Sequence, residues 1–229
     1  VAESTMDRIV KGSPTGSVSI FANSGPGTPL DFAPGYRTKI DVDKNGNLYV
    51  ACVGSTGNPF NPSGDMLDTI YKITPAGVIS AIARQYVSPN YFYDIAGLAV
   101  SPDGQLYLFI GDTWTPHDIL KVNLATKTST RFASSVYGPY DLLFDKDGNL
   151  FVTMSGTSTE KLNIYRFAPD GTRTVYNDTI DAPVAMAWGP DGLLYVVDAT
   201  TKAVYTIDPS TKTVTPFATG FTAPYDLDF

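Results

Sequence analysis

DKDGNLFV at 145–152 decides how the rest of this 229-residue chain is read. SPDGQLYL begins at 101, 44 residues earlier, and GPDGLLYV begins at 189, 44 residues later. DKNGNLYV at 43–50 is a fourth copy, 58 residues ahead of the one at 101. An Asp/Asn-Gly pair followed by Leu-Tyr-Val-like residues reads as a tight hairpin turn entering a strand. Glycine accepts the positive φ such turns demand, and aromatic or β-branched side chains suit a pleated surface. A short apolar run precedes each turn: KIDV, GLAV, LLF and MAW. After a loop of variable length a third run follows, as DTIYKI (68–73), DILKV (118–122), NIYRF (163–167) and AVYTI (203–207). A second turn comes next (TPAG, NLATK, APDG, DPSTK), and a fourth run closes the unit.

Four short strands in a unit of roughly 40–45 residues predict a β-propeller blade, and no stretch carries the 3.6-residue period of a helix. The expected fold is all-β: a five-bladed propeller of four-stranded antiparallel blades in a single domain over 1–229. Four blades span about 36–84, 94–134, 138–177 and 182–218. The fifth joins 223–229 with 1–21. APYDLDF at 223–229 matches GPYDLLF at 138–144, and VAESTMDRIVKG at 1–12 matches VVDATTKAVYTI at 196–207. Pairing the N- and C-terminal strands in one blade closes the ring and removes exposed sheet edges. That blade is short by about seven residues, the equivalent of DKDGNLF, which opens a reading of the chain as part of a larger one.

Composition narrows the partners. The formal net charge is −7 and no basic cluster occurs, so a nucleic-acid footprint is not expected. No run of 18 apolar residues exists, so no membrane span is expected. Charged residues make up 17%, below the roughly one quarter usual in globular chains, and the turn-rich, uncharged surface leans toward an extracytoplasmic or secreted protein. Cys52 is the one cysteine, excludes an internal disulfide and reads as a small core residue. Asn177-Asp178-Thr179 is a glycosylation sequon. Glu3 and Asp198, at equivalent ends of second strands, are expected to cap loop amides.

The segments GPYDLLFDKDGNLFV (138–152) and IDAPVAMAWGPDGLLYV (180–196) resemble the NHL-repeat and SMP-30/gluconolactonase-like β-propellers. That superfamily-scale group includes paraoxonase-like and strictosidine-synthase-like enzymes and the streptogramin B lyases. The resemblance covers nearly the whole chain and implies the fold, while the architecture hosts enzymes and binding scaffolds alike. The streptogramin lyases share the GPYxxxxDxDGNLF phrase, and likeness to them would imply histidines beside a carboxylate and Mg²⁺. Likeness to the peptidylglycine lyase branch would imply several histidines on zinc. The single histidine, His117, can assemble neither set. Likeness to the calcium hydrolases would imply Glu, Asn and Asp from the first strands around a central channel.

Two groups of candidate residues follow. The connections at 22–35, 53–67, 85–93 and 111–117 are long and carry many aromatic residues. Loops on a rigid scaffold are common carriers of function. Tyr91, Tyr93 and Trp114, with the adjoining Tyr36 and Tyr137, would line a groove for a sugar or peptide, flat rings giving contact area at low entropic cost. The alternative is that the rings cover the blade ends. The second group comes from aligned entrances of the inner strands. One slot holds Tyr36, Asp94, Gly138, Ala182 and Ala223, and three residues on lie Lys39, Gly97, Asp141, Ala185 and Asp226. Small residues suit crowding near an axis, so Lys39, Asp141 and Asp226 stand out. They predict a polar funnel flanked by Tyr140 and Tyr225, in which Asp94, Asp141 and Asp226 could hold Ca²⁺. The alternative is a salt bridge between Lys39 and Asp226, which blade closure would make neighbours, with the other Asp residues capping turns or binding water.

The preferred expectation is a non-enzymatic module that binds a saccharide, peptide or protein on the long-loop face. A Ca²⁺-dependent lactonase or hydrolase of the SMP-30-like kind is the rival, and a structural repeat domain of a larger protein is a third reading. Only the rival requires a cofactor.

Overall fold

The Asp-Gly turns fold as their chemistry predicts. Asp43 Oδ1 accepts the amides of Asn45 and Asn47, both at 2.9 Å, while the Gly46 amide donates to the Asp43 carbonyl. Asp145 repeats the arrangement with Asp147 and Asn149. The fourth residue must turn left-handed, with φ of 75° at Gly46 and 82° at Gly148, which is why glycine recurs there. Burial alone would raise the Asp43 carboxyl's pKa. The Asn47 side chain and the Asn47 and Asn45 amides outweigh it and hold the pKa below the ordinary carboxylate value.

A computed structural model describes residues 2–3, 8–12, 17–23, 39–52, 69–84, 95–110, 116–126, 128–154 and 163–229. Every regular element among them is a β-strand. A three-stranded sheet holds β1 (Ala2–Glu3), β2 (Arg8–Gly12) and β3 (Val18–Asn23). Four four-stranded antiparallel sheets follow, each with its strands side by side in chain order, as in propeller blades. The first holds β4 (Lys39–Val42), β5 (Leu48–Cys52), β6 (Thr69–Ile73) and β7 (Ile79–Arg84). Next come β8 (Ile95–Val100), β9 (Leu106–Ile110), β10 (Pro116–Asn123) and β11 (Thr128–Tyr137). The third holds β12 (Pro139–Phe144), β13 (Leu150–Met154), β14 (Asn163–Phe167) and β15 (Arg173–Asn177). The fourth holds β16 (Pro183–Trp188), β17 (Leu194–Asp198), β18 (Ala203–Ile207) and β19 (Val214–Thr219).

The repeat in the sequence is also a repeat in register. First and second strands pair as Val42↔Leu48, Val100↔Leu106, Phe144↔Leu150 and Trp188↔Leu194. Second strands are buried on both faces, as in β13 and β17, where every residue is buried. Fourth strands β15 and β19 are mostly exposed. Second strands are accordingly richer in apolar residues than fourth strands, since only doubly covered positions gain from losing water on both faces.

The chain divides into two compact units. In the first (Val1–Val100, Gly104–Ile110, Lys121–Thr130), one core joins Tyr49, Ala51 and Ile70 to Leu98, Leu106, Leu108 and Val122. A second core there gathers Ile9, Ala22, Leu48, Val50, Tyr71 and Ile73. In the second (Ser101–Asp103, Gly111–Leu120, Arg131–Phe229), Phe151 and Ile164 pack with Met186, Leu194, Val196 and Ile207. The Phe151 ring meets Tyr176 and Trp188 edge-on, at 4.7 and 5.4 Å between centroids. Gly171 lets this unit pack closely. A Cβ there would lie 2.5 Å from the Phe132 carbonyl oxygen, and its φ is +84°.

Residues 223–229 were expected as a first strand, and the three-stranded sheet as part of the same blade. The segment forms no strand, and no described strand lies in ladder with it. It is nevertheless held in place: Leu227 packs with Val184, Ala185 and Val197, and Phe229 meets Tyr195 at 4.7 Å. The Asn177 sequon is no presented acceptor. Asn177 is 8% exposed, and its Oδ1 accepts the Thr179 and Ile180 amides. Asp198, 1% exposed, caps the Thr200 and Thr201 amides as expected. The side chains of Glu3, Cys52 and His117 lie outside the described residues.

Candidate functional site

The inner strands carry an unforeseen device. Asp141, half-buried on β12, accepts the amide of its own neighbour Leu142 on Oδ1 at 2.9 Å. Its Oδ2 accepts the Met186 amide at 2.7 Å, and Met186 lies on β16, the inner strand of the following sheet. Asp41 on β4 repeats both bonds. Its Oδ1 takes the Val42 amide and its Oδ2 takes the Val100 amide of β8, both at 2.7 Å. In each case one carboxylate clasps two successive inner strands. Inner strands need such a partner, because on the side away from their own sheet their N–H groups have no ladder. A charged acceptor strengthens the bonds. Asp41 sits two residues beyond the slot of Asp141 and was not singled out in the sequence. Its Asp-x-x-x-Asn-Gly context marks a turn, and nothing local signals a partner 59 residues away.

Asp226, in the slot of Asp141, adopts half of this arrangement: its Oδ1 accepts the Leu227 amide at 2.9 Å. Lys39 is half-buried on β4 opposite Ala51. Tyr137 is half-buried at the end of β11. Tyr140 is partly buried and packs on Val184, Ala185 and Val197. Tyr225, by contrast, is 54% exposed. Tyr36, Tyr91, Tyr93, Asp94 and Trp114 lie outside the described residues. Opposite Asp141 in the ladder stands Thr153, whose Oγ1 is buried without a protein partner, as is Oδ1 of the nearby Asn163.

Calcium takes six to eight oxygen ligands, so a calcium site needs several converging oxygens. Asp141 already holds an amide on each oxygen, and Asp226 holds one on Oδ1. Among the described residues no three His, Cys, Asp or Glu side chains converge as a metal group would require. Among the described residues, Asp141 and Asp226 therefore do not make a calcium shell by themselves.

A second polar cluster lies where the β12–β15 and β16–β19 sheets meet on the hairpin side. Lys212 Nζ sits 3.9 Å from the centroid of the Tyr176 ring. Burial, then the charges of Asp145 and Asp208, push the Tyr176 hydroxyl up to about 12, with Arg166 opposing. Burial, followed by repulsion from Arg166, lowers the Lys212 pKa against the pull of Asp208. Tyr176 Oη and Trp188 Nε1 are buried without protein partners. The acidic groups here serve their own turns: Asp208 Oδ1 takes the Ser210 and Thr211 amides, and Arg166 bonds Asn149 at 2.7 Å.

Residues 133–221 match the family model described as the SMP-30/Gluconolactonase/LRE-like region. No curated protein matches the chain. Among solved structures, a streptogramin B lyase matches with a TM-score of 0.64 at 16% identity, over 99% of this chain and 68% of that one. A nidogen/laminin complex matches with 0.68 at 15%, over 93% and 72%. A protein described as a candidate gluconolactonase matches with 0.62 at 17%, over 95% and 70%. At these identities the likeness establishes the fold. The chain has a propeller-like all-β fold, and its residues 133–221 are similar to the SMP-30/gluconolactonase-like family, the likeness its Asp-Gly repeat implied. No helix among the described residues is long and apolar enough to cross a membrane.

Proposed function

We propose that this protein is a recognition module that binds a saccharide, peptide or protein partner on the face of its long connections, outside the cytoplasm. The observation that carries this reading is the commitment of Asp141. Its carboxylate is a clasp between inner strands, and Asp41 makes the same clasp at a position for which no metal role was expected. The acid in the funnel slot thus has a structural reason to be there. Tyr225, 54% exposed, and the aromatic residues Tyr36, Tyr91, Tyr93, Trp114 and Tyr137 supply the contact surface. A related architecture occurs in a nidogen/laminin complex, so such sheets are compatible with protein recognition. We further propose five repeat units, with 223–229 and the β1–β3 sheet belonging to one of them by register.

A glycan and peptide array tests the reading. The expected result is selective binding, reduced at least tenfold by Trp114→Ala or Tyr225→Ala and unchanged by chelator. Array-wide silence, or binding indifferent to both variants, contradicts it.

The second reading is a Ca²⁺-dependent lactonase, favoured by the family match over 133–221. It requires Asp94 and further oxygens to complete a shell with Asp141 and Asp226. Its signature would be lactone hydrolysis that stops on chelation.

A further inference from the structure

The cluster where the β12–β15 and β16–β19 sheets meet on the hairpin side holds more donors than acceptors. Lys212 Nζ rests 3.9 Å from the centroid of the Tyr176 ring and makes no ion pair among the described residues. Arg166 carries five N–H groups, and its one hydrogen bond among the described residues goes to Asn149 Oδ1 at 2.7 Å. The Tyr176 hydroxyl is buried without a protein partner, as is Trp188 Nε1, and both rings stand edge-on to Phe151. The nearby carboxylates are held by their own turns. Asp208 Oδ1 accepts the Ser210 and Thr211 amides and the Ser210 hydroxyl. Asp145 accepts the Asp147 and Asn149 amides on Oδ1 and the Asn149 side chain on Oδ2.

This arrangement is costly for the protein alone. A buried hydroxyl without a partner loses its hydration and gains nothing in exchange. Lys212 and Arg166 repel each other, which adds to the effect of partial burial in favouring the neutral amine of Lys212. The backbone at Lys212 is also unusual. Its φ is 63°, in the left-handed region where glycine or asparagine is the ordinary choice, and Gly171 closes the corresponding turn of the preceding sheet. A cation thus stands where a glycine would serve the turn better, and backbone strain of this kind is a pointer to function.

We propose that Lys212, Arg166 and Tyr176 form a binding site for a small monocarboxylate. An anionic acceptor between the two cations removes their repulsion and gives the Tyr176 hydroxyl a partner. A carboxylate suits these donors. Its two oxygens match the planar fork of a guanidinium, while an ammonium adds a compact point charge with three donors of its own. A divalent oxyanion suits them less, because Asp145 and Asp208 lie near enough for their charges to act on the Tyr176 hydroxyl. The site belongs to the hairpin side and is independent of the ligand reading for the long connections, so a silent glycan and peptide array leaves it standing.

The test is competitive acylation of the lysines by a limiting N-hydroxysuccinimide ester, mapped by peptide mass spectrometry, in acetate and in chloride at equal ionic strength. Lys212 is exposed to such a reagent, as is Lys202, which serves as the internal reference. An anion that raises the amine's pKa by about one unit lowers its reactive neutral fraction about tenfold. Acetate is therefore expected to slow labelling of Lys212 about tenfold at saturation, with no change at Lys202. Half-saturation is expected on the order of 1–10 mM, as suits a ligand of very few atoms. The melting temperature is expected to rise with acetate and not with chloride. Lys212→Asn keeps a residue that accepts the left-handed turn and is expected to abolish the acetate shift in melting. Tyr176→Phe keeps the ring beneath the ammonium and is expected to weaken acetate binding about tenfold. Equal slowing by chloride, equal slowing at Lys202, tighter binding of sulfate than of acetate, or an acetate effect unchanged in Lys212→Asn or Tyr176→Phe overturns the inference.

Discussion

Pro-Tyr-Asp-Leu occurs twice, at 139–142 and 224–227, and the two copies fare differently. The first lies in β12, paired with β13, with Asp141 joined to the next inner strand and Tyr140 packed against the next sheet. The second docks through Leu227 and Phe229, keeps its aspartate bonded to the following amide, and forms no strand. The local bond from carboxylate to the next amide is identical, so it is written in the tetrapeptide. Everything else depends on what lies alongside. Four residues specify a conformation, and neighbours decide whether it becomes a strand and a clasp.

The sharpest way to break this contrast is proline at matching positions. Leu143 and Asp228 share a slot, and the Leu143 amide faces β13. Leu143→Pro is expected to cost about 3 kcal/mol or more, because it removes a ladder bond and clashes within a paired strand. Asp228→Pro is expected to stay within about 0.5 kcal/mol, as exposed substitutions do. Urea melts of both variants check this, and equal losses would mean that the two copies do not differ as described.

Next in size is the aspartate pair. Asp141→Ala leaves the amides of Leu142 and Met186 without their charged acceptor and is expected to cost about 1.5–3 kcal/mol. Asp226→Ala touches one exposed local bond and is expected to cost less than about 0.5 kcal/mol. Asp41→Ala should resemble Asp141→Ala, since its bonds are the same. If Asp226→Ala proves as costly as Asp141→Ala, the carboxylate of the second copy has a partner of equal weight.

The smallest effect is alkaline. Tyr176 is held protonated up to about 12, above its value in an unfolded chain, so the folded state binds the extra proton. Stability from this group is complete below pH 10 and falls as pH rises through 10 toward 12. Tyr176→Phe removes that titration and also a buried hydroxyl without a protein partner. It is expected to flatten the alkaline decline with little loss at neutral pH. Melting curves from pH 8 to 11 check it, and an unchanged alkaline slope would place the titration elsewhere.

Much of the fold was legible because turn chemistry is local. The Asp-Gly hairpins, the strands NIYRF and AVYTI and the cap at Asp198 follow from residues within a few positions of one another. Asp141 was visible as an acid in a slot of small residues, yet its partner is the amide of Met186, 45 residues on, and a main-chain amide leaves no trace in sequence. Asp41 was invisible for the same reason, compounded by a polar position where strands ordinarily alternate. The strand expected at 223–229 failed because apolar pattern specifies which side packs, whereas a strand also requires a ladder partner.

The most direct test of the account is the melting of the wild-type protein and Asp141→Ala, each with excess Ca²⁺ and with chelator. The account predicts that Asp141→Ala melts lower by roughly 3–10 °C in both conditions, with no calcium effect on either protein, as befits a clasp between strands. A wild-type melting temperature raised by Ca²⁺, with the rise lost in Asp141→Ala, would contradict it and make Asp141 a metal ligand.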